Sequence, residues 1–258
     1  YTTIKKPSDY FNTKLYTGDG SSSRSITGVN FQPDWTWVKS RNSADYDHMV
    51  TDVVRGTPKM LKTNSTAAEA EYSAGGIGSF DSDGFTIAAG SSNNTNMNNN
   101  TTTYVGWNWK ANGAGSANTD GSISSTVSAN TTSGFSIVSY TGTGANATVG
   151  HGLGSVPSMV IVKKLSASGT DWFCYHKSLG NTHYIPLNTT AVASDNVITW
   201  NDTTPTSSVF SLGTSGTTNA SSASMIAYCF AEKQGYSKFG SYTGNGNADG
   251  TFVYTGFK

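Results

Sequence analysis

The chain repeats itself, and that constrains its fold more than any single motif. Residues Tyr16 to Lys39 read YTGDGSSSRSITGVNFQPDWTWVK, and Tyr140 to Lys163 read YTGTGANATVGHGLGSVPSMVIVK. Tyr16 and Tyr140, Gly28 and Gly152, Pro33 and Pro157, and Lys39 and Lys163 all stand 124 residues apart. The same offset joins Asp47 to Asp171, Gly56 to Gly180 and Asn64 to Asn188. A third copy opens at Tyr242 (YTGNGNADGTFVYTGFK). Self-similarity at a fixed period is the signature of stacked structural units. It predicts two equivalent units plus the first hairpin of a third, and we expect a piece of a longer protein.

The local pattern is that of strands. Tyr104 to Lys110 (YVGWNWK) places Val105, Trp107 and Trp109 on one face, and Ile226, Tyr228 and Phe230 hold the same places in the second copy. Large residues at period two mark a core-facing side, so Trp107, Trp109, Tyr228 and Phe230 are the expected core aromatics. Asp34 to Arg41 alternates likewise, with Trp35, Trp37 and Lys39 on one side. Ser79 to Ala88 reads as a hairpin around Asp83-Gly84. Residues 59 to 74 leave room for one or two helical turns, no more. Asn93 to Thr103 reads as a low-complexity loop, and loops such as 91–103 are expected to face outward. Phe252 to Phe257 would be a strand in need of cover.

Together these signals predict an all-β fold of tandem β-sandwich or jelly-roll repeats. The expected divisions are residues 1–112 for the first sandwich and 113–134 for a linker and lead-in strand. Residues 135–233 form the second sandwich, and 234–258 begin the third copy.

Composition narrows the class of function. Sixteen Lys and Arg balance sixteen Asp and Glu, and no basic run occurs, which argues against nucleic acid or an anionic membrane as main partner. No apolar run approaches the ~20 residues that span a bilayer. Cys174 and Cys229 are the two cysteines; they make no disulfide framework and read as free thiols in packed strands. His48, His151, His176 and His183 lack metal-ligand spacing, and no nucleophile, Walker or dinucleotide motif appears. No catalytic, cofactor or metal residue is therefore expected. Asp52 and Arg55 read as a structural ion pair or a contact with a neighbouring subunit. Trp35 and Trp37 are candidates for stacking against a glycan, set against the commoner reading of Trp as core.

The words PSDYFNTKLYTGDG, SITGVNFQPDWTWVKSR, VTDVVRG and TYVGWNWKA resemble a repeat found in virion proteins of tailed, mainly marine, bacteriophages. So do ATVGHGLGSVPSMVIVKK, MIAYCFAEKQGYSKFGSYTGNG and VYTGFK. The resemblance implies a virion location and a non-enzymatic structural role in a tail, fibre or surface appendage. The implied partners are other virion subunits, including copies of the same chain (a trimer if the part is a fibre), and a host surface glycan. A carbohydrate-binding adhesin is the alternative, and a polysaccharide-degrading tailspike a third reading. The resemblance transfers no catalytic residue.

Overall fold

The computed structural model describes residues 2–88 and 97–256. The first half contributes β1 (Phe11–Thr17), β2 (Arg24–Thr27), β3 (Trp35–Ser40), β4 (Met49–Asp52), β5 (Lys59–Lys62), β6 (Ala70–Glu71), β7 (Ile77–Asp81), β8 (Gly84–Ile87) and β9 (Thr103–Trp109). The second half adds β10 (Ser116–Asn118), β11 (Ser125–Asn130), β12 (Phe135–Thr141), β13 (Ala147–Gly150), β14 (Met159–Lys164), β15 (Phe173–His176), β16 (His183–Pro186), β17 (Ser194–Asp195), β18 (Val209–Leu212) and β19 (Ser224–Phe230). An α-helical turn, α1 (Val197–Trp200), lies between β17 and β18. The fold is all-β and antiparallel.

Equal spacing in sequence meets equal strand order in the sheets. The first large sheet runs β1-β9-β3-β4-β5-β6, and the second carries β12-β19-β14-β15-β16-β17 in the corresponding order. Shared residues make shared bonds. Asn64 Nδ2 donates to Asp47 and Asn64 Oδ1 accepts from His48 N; Asn188 does the same with Asp171 and Trp172 N. Tyr16 donates its hydroxyl to Met97 O at 2.8 Å, and Tyr140 to Thr218 O at 2.6 Å.

Each large sheet is covered on both faces, giving four layers with cores between them. The outer face of the first sheet (Tyr16, Val38, Met49, Met60, Tyr104) packs on the small sheet β2-β8-β7 through Ile26, Ile77, Phe85 and Ile87. The outer face of the second packs on the β13-β18 pair through Val149, Phe210 and Leu212. Between the two large sheets lies a seam. There Trp35, Val50 and Leu61 of the first half meet Phe135, Ile137, Ile161, Tyr228 and Phe230 of the second. Strand β19 shows the consequence: Met225, Ala227 and Cys229 enter one core while Ile226, Tyr228 and Phe230 enter the other. A strand buried on both faces carries an unbroken apolar run.

Four expectations change. Residues 59 to 74 form β5 and β6 and no helix, because Met60 and Leu61 are buried on opposite faces of the sheet. Within 113–134, expected as a linker and lead-in strand, two strands form: β10 and β11 extend the second sheet along the edge of β12. Residues 251–256 form no strand and lie exposed, and Phe257 falls outside the described residues. Of the 91–103 loop, 91–96 also falls outside them, while Met97 and Asn98 turn inward and are buried.

Candidate functional site: an aromatic pocket in the seam

Trp35 sits at the centre of the seam. β3 is held between β9 and β4, with Trp35 level with Trp109 on one side and Asp52 on the other. Its ring stacks on Tyr228 at 4.5 Å and Phe135 at 5.5 Å, and packs at tilted angles on Trp109 at 4.5 Å and Phe230 at 5.9 Å. It is 1% exposed. A ring so enclosed offers no face to a sugar, so Trp35 is core and not a glycan platform. Trp37 lies one row further along the same face and is half-buried, its edge against Trp107 at 5.9 Å. Trp107 and Trp109 are also half-buried, less than the core role expected of them, whereas Tyr228 is fully buried and Phe230 nearly so. Trp109, level with Trp35, and Trp37 both line a pocket at the seam, which leaves part of each ring uncovered.

Where the cover thins, a pocket of about 280 Å³ opens. Phe11, Trp37, Trp109 and Phe230 line it, and Tyr236 and Phe239 close it from the segment after β19. That segment is fixed by Glu232, which accepts from Lys177 Nζ at 2.6 Å and from Phe239 N at 2.8 Å. Among the described residues no charged side chain lines the pocket. Three polar atoms of its lining residues, Trp35 Nε1, Trp37 Nε1 and Ser133 Oγ, are buried with no hydrogen-bond partner among the described residues. Buried donors are nearly always satisfied in proteins; these three are closed off within the pocket wall and offer no handle to a bound group. The apolar, aromatic lining suits an uncharged ring.

Beside Trp35, the seam is pinned by charge. Asp52 Oδ2 accepts from Arg55 Nε at 2.5 Å and from the Tyr228 hydroxyl at 2.7 Å. Asp52 Oδ1 accepts the backbone N–H groups of Val54 and Arg55. Arg55 also reaches Glu69 Oε2 at 3.0 Å and Val50 O at 3.3 Å. The Asp52 and Arg55 side chains are 0% and 2% exposed. Burial opposes the guanidinium charge, yet Asp52, then Tyr228 and Glu69, outweigh it and raise the Arg55 pKa. The expected ion pair is thus internal, and it ties the first sheet to a tyrosine of the second. Nearby, Trp172 Nε1 donates to Lys62 O at 2.9 Å, and Glu69 N to Leu165 O at 3.0 Å. Sequence reasoning missed Tyr228 as a partner of Asp52, since no local pattern links residues so far apart.

The remaining candidates are structural. His151 is fully buried; Leu153 N donates to its Nδ1, which leaves Nε2 to donate to Thr206 O. Burial holds its pKa below the ordinary imidazole value, against an opposing pull from the Thr206 carbonyl. Lys163, also buried, donates to Thr66 O of the first half and to Thr170 O of its own, and burial lowers its pKa to about 8 against the pull of Asp171. Cys174 and Cys229 are buried free thiols pushed up to about 12 by burial. Asp83, in the β7–β8 hairpin, accepts from Gly28 N and Asn30 N and serves the turn. Among the described residues no cluster of three or more His, Cys, Asp or Glu is placed to hold a metal ion.

No curated protein and no solved structure matches this chain. A family described as Domain of unknown function (DUF7483) matches residues 6–258, nearly the whole length. The chain belongs to that DUF7483 family.

Proposed function

We propose that this domain is a non-enzymatic structural component of a phage virion, in a tail, fibre or surface appendage, working by packing against neighbouring subunits. The virion setting rests on the sequence resemblance. The packing role rests on one observation: the segment 242–254 presents Tyr242, Phe252 and Tyr254 at 70%, 87% and 79% exposure. Tyr242 stands in the same YTG-x-G words as Tyr16 and Tyr140, which are 9% and 4% exposed with bonded hydroxyls. A run of exposed rings is costly in water and calls for cover, which a neighbouring subunit or further repeat sequence would supply. Native mass spectrometry of the full-length protein tests the reading, with electron micrographs of purified particles to place the subunit. A symmetric homo-oligomer is expected, a trimer if the part is a fibre. A strictly monomeric product that cleaves a host polysaccharide would overturn it.

A second reading, a glycan-binding adhesin, draws on the half-buried Trp37–Trp107 pair, which leaves ring surface open beyond the seam. Quenching of tryptophan fluorescence by neutral oligosaccharides, lost in Trp107→Ala, would promote it.

A further inference from the structure

We propose that the loops at one end of the second sandwich form a binding site for a neutral sugar. The inference goes beyond the packing role. It shares a ligand class with the adhesin reading but rests on other residues, so each can fail alone. A cavity of about 450 Å³, within the ~300–1,000 Å³ range of small-molecule sites, opens between 156–158, 177–181 and the loop that holds Thr204. Strands β14 and β15 build its floor. Val160 is level with Tyr175, and Lys177 N donates to Ser158 O at 2.9 Å, so alternation turns Ser158, Tyr175 and Lys177 to one face. That face carries the core of the second sandwich, where Tyr175 packs edge-on against Trp200 at 6.1 Å. Ser158 is 7% exposed and Tyr175 3%, yet neither hydroxyl has a hydrogen-bond partner among the described residues. Both line the cavity, and neither oxygen is sealed as Ser133 Oγ is. Polar groups buried to this degree are nearly always bonded, so two unpartnered hydroxyls at an open cavity point to a ligand that bonds them.

The rest of the wall says what kind of ligand. Lys177 and Glu232 neutralise each other at 2.6 Å, so the lining carries no net charge to attract an ion. Asn181 ties two of the loops together by donating to Asp202 O at 2.6 Å, which leaves its Oδ1 free to accept. Val156, 49% exposed, and Pro157 supply an apolar surface for the C–H face of a ring. Donors, acceptors and an apolar patch at zero net charge match a sugar, whose hydroxyls each donate and accept. The shared strand order does not require these groups. Where the second half has Ser158, Tyr175, Lys177 and Glu232, the first has Asp34, Thr51, Val53 and Ala111. There Asp34 Oδ2 accepts from Ala111 N at 2.6 Å and closes the end from within.

The test is isothermal titration calorimetry of the full-length protein with glucose, galactose, mannose and N-acetylglucosamine. At least one should bind. Tyr175→Phe keeps the ring in the core and removes only the hydroxyl, and Ser158→Ala does the same at the second position. Each should weaken binding about tenfold, the loss of one hydrogen bond to a buried group, with the melting temperature near the parent's. Should one variant fail to fold, the other carries the test. No binding of any of the four sugars would overturn the inference and leave the packing role standing. Binding untouched by both variants would also overturn it; if Trp107→Ala then abolished that binding, the sugar would belong to the Trp37–Trp107 pair. Tighter binding of glucuronate than of glucose would overturn the neutral sugar as ligand.

Discussion

Asp52 lies at 0% exposure with four donors around it, and each donor is part of what makes its burial tolerable. Removing one partner of a buried pair leaves an uncompensated charge, at a cost of about 3 to 5 kcal/mol. Arg55→Ala should lower stability by that amount in denaturant titrations. Tyr228→Phe deletes one hydrogen bond to the same carboxylate and should cost less, about 1 to 3 kcal/mol. Their double mutant should fall short of the sum, because both losses act on one oxygen. His151 gives a pH dependence. Its folded pKa is depressed, so its contribution is complete above the unfolded value of about 6.5 and is lost as pH falls through the folded one. The melting temperature should therefore decline on acidification below neutrality, and less steeply in His151→Gln. His48 and His176, shifted in the same direction by burial, would leave a residual slope. At this scale the Asp52–Arg55 pair was legible in the sequence, since three-residue spacing is local. Tyr228 was hidden, because its hydroxyl arrives from a strand of the other sheet.

Strands β9 and β19 carry the same pattern and meet different fates. Tyr228 is clamped between Trp35 and Trp172, while Trp107, in the matching place, touches Trp37 by its edge and stays half-buried. Trp35→Ala should cost about 3 to 5 kcal/mol, and Trp107→Ala about half of that, in proportion to the surface each removes from the core. Equal losses in thermal melts would show that the seam reaches beyond the Trp35 row. The β7–β8 hairpin supplies a backbone test. Gly84 has φ of +151°, and a Cβ there would lie 1.9 Å from Ile26 O, within the β2–β8 ladder. Gly84→Ala should strongly destabilise the small sheet. The alternation that locates these strands was readable, as was the Asp83-Gly84 turn. The stretch around Thr66 to Glu71 was not: its Ala and Glu favour helix, yet Glu69 N is bonded to Leu165 O and Arg55 holds the Glu69 carboxylate. Tertiary contacts override a propensity worth tenths of a kcal/mol per residue.

For the molecule as a whole, the two large sheets share a strand order, and nothing in the sequence said how the sheets relate. Periodicity says which face of a strand is apolar, but not whether that face meets a small sheet, a partner chain or the other copy. Here the two equivalent faces meet each other, through Trp35, Tyr228 and the Asp52–Arg55 pair, so the halves share a core in place of hanging as beads on a linker. A shared core this well enclosed should unfold as one. Differential scanning calorimetry tests that most directly. We predict a single transition whose calorimetric and van't Hoff enthalpies agree, shifted as a unit to lower temperature by Arg55→Ala. Two resolved transitions, with Arg55→Ala moving one and sparing the other, would contradict it.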